Sequence, residues 1–176
     1  MLTLQTGRPK DMAGRLEKEL RVYDFLDAIG VAYERVDHEA LMTMEACKEV
    51  DDILKATICK NLFLCTANKK EFYLLMLPAQ KRFVTKEISK QAGTSRLTFA
   101  GEEDMEKLLD ITPGSVSVMG LMNDTGNQVE LLMDREILQG EYIGCHPCIN
   151  TSSIRFKTKD LLEKIIPAMG HEARIL

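Results

Sequence analysis

The sequence predicts an α/β protein of the α+β type, a single compact domain over residues 1–176 with a mixed β-sheet flanked by helices. Three observations predict it. Apolar residues at helical spacing and strand-like alternation both recur along the chain. The two patterns interleave without a strict strand–helix–strand rhythm, which argues against a doubly wound sheet. No repeat, low-complexity tract or linker divides the 176 residues, a length that one hydrophobic core can serve.

Each element has its own reason. Asp11 to Ile29 follows the helical period through Leu16, Leu20, Phe25 and Ile29, and Gly30 suits the left-handed stop. Val31 to Val36 alternates like a strand. Thr43-Met44-Glu45-Ala46 opens a second helix with Thr43 as its N-cap. Ile58 to Thr66 and Phe72 to Leu77 flank Asn68-Lys69-Lys70 as a hairpin of mostly buried strands. Thr85 to Gln91 is a short helix stopped by Gly93, and Leu97 to Phe99 a short strand. Gly101 to Asp110 is a charged helix that ends before Pro113. Turns follow at 112–115 and 123–127, then a strand from Gln128 to Met133. Tyr142 to Cys145 and Ser153 to Phe156 pair around a loop, and Thr158 to Ala168 is a helix capped by Thr158.

Composition narrows the function classes. Apolar residues at 45% and charged residues at 28% fit a soluble globular protein, and no apolar run can span a bilayer. No basic-then-apolar leader is present, and five cysteines suit free thiols in a reducing compartment, so the cytoplasm is expected. A net charge of −4 excludes a broad DNA-binding surface but leaves room for a few contacts to a single-stranded nucleic-acid end.

Chemistry concentrates at three places. In Cys145-His146-Pro147-Cys148-Ile149-Asn150-Thr151, the Cys-x-x-Cys spacing suggests redox or metal chemistry, and His-Pro-x-x-Asn-Thr a pocket for a small polar substrate. A redox pair needs a helix N-terminus, and the residues after Cys148 read as a strand. Structural zinc needs a second pair, and Cys47, Cys59 and Cys65 are scattered. The polar-pocket reading is preferred, with no metal or cofactor expected. Lys60-Asn61 interrupts the apolar run from Ile58 to Leu64, and a lysine there is a candidate clamp for phosphate or carboxylate. The small-residue turn at Pro113-Gly114-Ser115-Val116-Ser117 can offer backbone N–H groups to an oxyanion. His38 is either a loop residue or a pocket wall, and His171 is expected to be exposed in the tail. Asp51-Asp52 and Glu102-Glu103-Asp104 read as solvated helix ends.

In order, these residues resemble the YbaK/ProX family of prolyl-tRNA editing proteins. The resemblance runs through Lys60-Asn61-Leu62-Phe63-Leu64, Leu77-Pro78 with Lys81-Arg82, and Gly114-Ser115-Val116-Ser117. It continues through Gly120-Leu121, Asn123-Asp124, His146-Pro147, Asn150-Thr151 and Gly170-His171-Glu172 at the end of a terminal helix. Lys60 to Leu64 is most similar to the ProX branch, which removes alanine from proline tRNA, and less to the YbaK branch, which removes cysteine. Val118-Met119, Cys145 and Cys148-Ile149 depart from the usual family residues, which implies a changed pocket size.

The resemblance implies a deacylase that hydrolyses the ester joining a small amino acid to tRNA(Pro), with prolyl-tRNA synthetase as a possible partner. Lys60, Gly114, Ser115 and His146 are the catalytic candidates. Asn61, Ser117, Asn150, Thr151 and His38 are the substrate-binding candidates. An aminoacyl ester is already activated, so its hydrolysis needs a positioned water, an oxyanion site and a base, not a covalent nucleophile. That base is either a side chain or the substrate's own ribose hydroxyl. A binding module without turnover and a thiol oxidoreductase using Cys145 and Cys148 are the rival classes.

Overall fold

The computed structural model describes residues 1–40 and 44–176, so the expected cap Thr43 lies outside the described residues. Among them, nine strands form one mixed sheet. The first five are β1 (Gln5–Thr6), β2 (Tyr33–Asp37), β3 (Thr57–Thr66), β4 (Phe72–Pro78) and β5 (Leu97–Phe99). The rest are β6 (Val129–Met133), β7 (Tyr142–Cys145), β8 (Ser152–Lys157) and β9 (Ala173–Ile175). Their order is β1-β2-β8-β7-β3-β4-β6-β9, with β5 paired to β3. β3 runs parallel to β7, and β6 parallel to both β4 and β9; the other pairings are antiparallel.

Helices cover both faces because strand side chains alternate between them. On one face, α1 (Glu17–Ala28), α4 (Glu102–Leu109) and a helical segment α5 (158–168) bury Phe63, Leu74, Met76, Ile143, Ile154 and Phe156. On the other, α2 (Met44–Leu54) sets Val50 and Leu54 against Val36 and Ile58. Further along that face, α3 (Thr85–Ala92) sets Ile88 and Ala92 against Leu62, Leu64, Leu75 and Leu77. Between these two clusters the sheet is forked. β3 pairs with β7 only at Thr57 and Ile58, and with β5 only from Leu64 to Thr66. Among the described residues, no strand pairs with that edge of β3 in between.

The hairpin, the short strand β5 and the stops at Gly30 and Gly93, both left-handed, stand where the sequence puts them. Four expectations are corrected. α1 starts at Glu17, not Asp11: Gly14 is left-handed and Arg15 turns away to ion-pair with Glu19 and Asp37. Thr158 does not cap; its hydroxyl donates to the Gly140 carbonyl, and the middle of α5, Leu161–Ile165, widens to a π-turn. The terminal helix stops at Ala168, before Gly170-His171-Glu172, and the chain then returns as β9. His171 is buried rather than exposed, because its Nε2 meets Asp124 Oδ2 at 2.9 Å and Nδ1 meets the Met169 carbonyl at 2.8 Å.

Candidate active site

A cleft of about 320 Å³ occupies the fork between β3 and β7. Ladder pairing ends after Ile58 and Gly144, so the diverging strands leave space that residues from five elements surround. β3 supplies Ile58, Cys59 and Asn61; β7 and its loop supply Gly144, Cys145 and His146; β8 supplies Ser153. The turn after α4 supplies Gly114 and Val116, and α2 supplies Cys47, Val50, Asp51 and Leu54. Gly144 lets the strands meet at the base of the fork, since a Cβ there would stand 2.9 Å from Ile58 Cδ1.

His146 is the most constrained group in the cleft. Its Nδ1 lies 2.9 Å from the Ser152 carbonyl, which can only accept, so Nδ1 carries the hydrogen and Nε2 keeps its lone pair. Nε2 has no partner among the described residues. Burial lowers the His146 pKa from 6.5; the Ser152 carbonyl opposes that shift, and nearby His38 adds to it. The ring is therefore neutral at pH 7, a hydrogen-bond acceptor and potential base. His38 stands behind it, with ring centroids 6.2 Å apart. Its Nδ1 donates to the Glu39 carbonyl at 2.8 Å, and its Nε2 accepts from the Ser153 hydroxyl at 2.9 Å. His38 thus reaches the cleft through Ser153 and is not itself part of the wall.

Asn61 presents a second acceptor. Its Nδ2 donates to the Cys59 carbonyl at 3.4 Å, and its buried Oδ1 has no partner among the described residues. Lys60 alternates away from Asn61, onto the α2 and α3 face with Ile58 and Leu62. That puts it one residue pair, about 7 Å along the strand, beyond the cleft-lining Ile58 and between the two helix-covered clusters. It is half-buried, and its ammonium has no ion pair or hydrogen bond among the described residues.

The Gly114 turn owes its shape to a left-handed glycine at φ +89°. Ser115 is buried, and its N–H donates to the Thr112 carbonyl at 3.1 Å, so it is already spent. Among the described residues, the amides of Gly114, Val116 and Ser117 have no partner at this turn, and Gly114 and Val116 line the cleft. Ser117 is fully buried and caps a 3₁₀ turn, Val118–Asn123, by accepting from Met119 N at 3.1 Å. Asn150 approaches the turn: its Nδ2 is 3.9 Å from where a Gly114 Cβ would stand. Thr151 is exposed and lines a separate groove with Arg15, Asp37 and Ile149.

The thiols lack the setting of a low-pKa redox pair. Cys148 is buried in the core at φ +62°, in a loop with no helix behind it, and burial pushes its thiol up to about 12. Burial also raises Cys145 and pushes Cys59 up to about 12. Neutral thiols of this kind act as small apolar surfaces. No group of three or more metal-ligating side chains occurs among the described residues.

The sequence reading missed the contribution of α2. Cys47, Val50, Asp51 and Leu54 have i, i+3, i+4, i+7 spacing, so Asp51 sits on the inward stripe and only Asp52 is on the solvated side. Ser153 was also missed; its strand parity with Arg155, opposite the core residues Ile154 and Phe156, was the available signal.

Residues 38–164 match the family described as the aminoacyl-tRNA editing domain. The chain is 30% identical over 146 residues to the prolyl-tRNA editing protein ProX of Acetoanaerobium sticklandii, covering 83% of this chain and 88% of that protein. It is also 30% identical over 172 residues to the prolyl-tRNA synthetase associated domain-containing protein 1 of Mus musculus, covering 94% and 98%. A crystal structure described as that of a candidate trans-editing enzyme for prolyl tRNA synthetase superposes with a TM-score of 0.67 at 16% identity, covering 92% and 97%, a likeness of fold. With the matched segment running from His38 through the cleft residues into the middle of α5, the chain belongs to the aminoacyl-tRNA editing domain family.

Proposed function

We propose that the protein is a trans-acting deacylase that hydrolyses the ester of mischarged tRNA(Pro), with alanine as the amino acid removed. The observation that carries this reading is the cleft in the sheet fork, which joins a neutral histidine to free backbone amides in a space sized for a small aminoacyl group. At about 320 Å³ it lies at the low end of small-molecule sites, whose volumes run from about 300 to 1,000 Å³. Ile58, Cys59, Val116 and Cys145 make its walls apolar, which suits one methyl group. Attraction to a methyl gives only about 1–3 kcal/mol of discrimination, so rejection of the larger proline ring rests on a clash with these walls.

In this reading the ester carbonyl accepts from the free amides of Gly114 and Val116. A water held by His146 Nε2 gives a proton to it and attacks the carbonyl carbon; when the ester C–O bond breaks, the ribose oxygen takes that proton from Nε2 and leaves as a hydroxyl. Asn61 and Asn150 orient the aminoacyl group, Ser115 and Ser117 fix the turn, and His38 holds Ser153 behind the histidine. Lys60, beside the cleft and without an ion pair among the described residues, holds the terminal phosphate. The substrate is then the acceptor end of tRNA(Pro) after its release from prolyl-tRNA synthetase, in the cytoplasm. The net charge of −4 supports a small, local nucleic-acid contact.

Deacylation assays with Ala-, Cys-, Ser- and Pro-tRNA(Pro) test the reading. Ala-tRNA(Pro) should be hydrolysed fastest and Pro-tRNA(Pro) not at all. Lys60→Ala should fold yet lose about 10²-fold or more in kcat/KM, the scale of misplacing the ester when its phosphate anchor is lost. Binding without turnover of any of the four esters would instead identify a binding module.

A further inference from the structure

Among the described residues Asp51 is the one carboxylate lining the cleft, and the proposed hydrolysis gives it no part. It lies on the inward stripe of α2, half-buried, and its side chain has no ion pair or hydrogen bond among the described residues. A carboxylate withdrawn from water without a counter-charge is costly, and its pKa is raised by burial first and by Asp52 second. The same cavity holds two more acceptors without donors, the buried Asn61 Oδ1 and His146 Nε2. The three come from α2, β3 and the loop after β7, so the surplus of acceptors is not a local accident of one turn. Cations near the cleft do not answer it. Lys48 and Lys55, three residues before and four after Asp51, are exposed and make no ion pair with it among the described residues. Lys60 is the nearest along β3, and Arg155 is committed to Glu34 and the Leu54 carbonyl. What the cavity lacks is a cation with several N–H donors.

We infer that Asp51, with Asn61 Oδ1, binds the α-ammonium group of the aminoacyl ester and so selects substrates with a free amino group. This rests on the deacylase reading for the identity of the ligand, but not for the contact itself. The α-ammonium supplies up to three donors and one positive charge, which match one carboxylate and one amide oxygen. Anchoring the amino group turns the side chain of the amino acid toward the remaining apolar walls. The carboxylate changes no bond; it is a substrate-binding residue.

Two measurements test it. Binding is read with non-hydrolysable analogues of the 3′ end, an alanyl amide of 3′-amino-adenosine and the matching lactyl amide, in which a hydroxyl replaces the ammonium. Wild type should prefer the alanyl analogue by about tenfold to a hundredfold, and Asp51→Asn should erase the preference while leaving lactyl affinity unchanged. Turnover is read with Ala-tRNA(Pro) and N-acetyl-Ala-tRNA(Pro): Asp51→Asn should slow the first by a similar factor and leave the second within twofold. Equal preference for the two analogues in wild type, or an unchanged preference in Asp51→Asn, overturns the inference. Equal losses on both esters do so as well, since they point to a general defect. A preserved alanyl preference in an enzyme that hydrolyses no ester supports the Asp51 contact and removes the deacylase reading alone.

Discussion

His146 draws its chemistry from one hydrogen bond. Donating Nδ1–H to the Ser152 carbonyl leaves Nε2 as an acceptor in the cleft, and burial lowers the pKa so that it stays one at neutral pH. The groups around it are His38 behind, Ser153 beside it, and Asp51, Cys59 and Cys145 along the wall. For wild type, kcat/KM on Ala-tRNA(Pro) should be flat above about pH 6.5 and fall on the acid side of the lowered pKa, about tenfold per pH unit. His146→Gln should remove most of the rate and the acid limb with it. An acid limb that His146→Gln leaves in place would assign the base elsewhere. Stability follows the same sign. The unfolded chain binds the proton first as pH falls, so the contribution of His146 is complete above about 6.5 and is lost as pH drops through the lower folded pKa. At this scale the sequence was informative about identity: His146 and Asn61 stand on the cleft wall, with Lys60 beside it. It was uninformative about Asp51, since a helix stripe reveals which side is inward only once its partner is known.

Among the elements, the Gly114 turn and α2 carry the most consequence. Gly114 holds φ +89°, and a Cβ would meet nothing nearer than Asn150 Nδ2 at 3.9 Å. Gly114→Ala therefore faces backbone strain without a clash, about 1 kcal/mol, which the fold should tolerate. The turn would relax toward negative φ and carry the Gly114 and Val116 amides with it. Single-turnover deacylation should fall about 10²-fold, the usual cost of losing an oxyanion donor, while the melting temperature moves only a few degrees. Wild-type turnover in that variant would remove the turn from the reacting centre. The hairpin of β3 and β4 was legible because both strands are apolar runs flanking a turn signal, and Lys69 takes the left-handed position in that turn. β1 and β9 were not: two and three residues are too few for a period, and they exist because β2 and β6 offer edges to pair with.

For the whole molecule, closure depends on the chain's end. β9 adds to the sheet beside β6, and the segment before it is fixed by His171 against Asp124, both buried. Asp124 also accepts from the amides of Gln128 and Val129, at 3.0 and 2.8 Å, so it organises the turn that starts β6. His171→Ala should cost about 2–4 kcal/mol in urea melts, because a buried carboxylate loses its partner. Deacylation by the folded fraction should be unchanged, since His171 lies outside the cleft. A change of less than about 0.5 kcal/mol would mean that the backbone amides alone satisfy Asp124.

Taken alone, the sequence determined the class of fold, the run of central elements and the family, since each of these is written in local spacing and in ordered short motifs. Only the tertiary structure decided the fork between β3 and β7, the inward side of α2, the burial of His171 and the free amides at the Gly114 turn. All four depend on residues far apart in the chain, and no local period records which strand fails to find a neighbour.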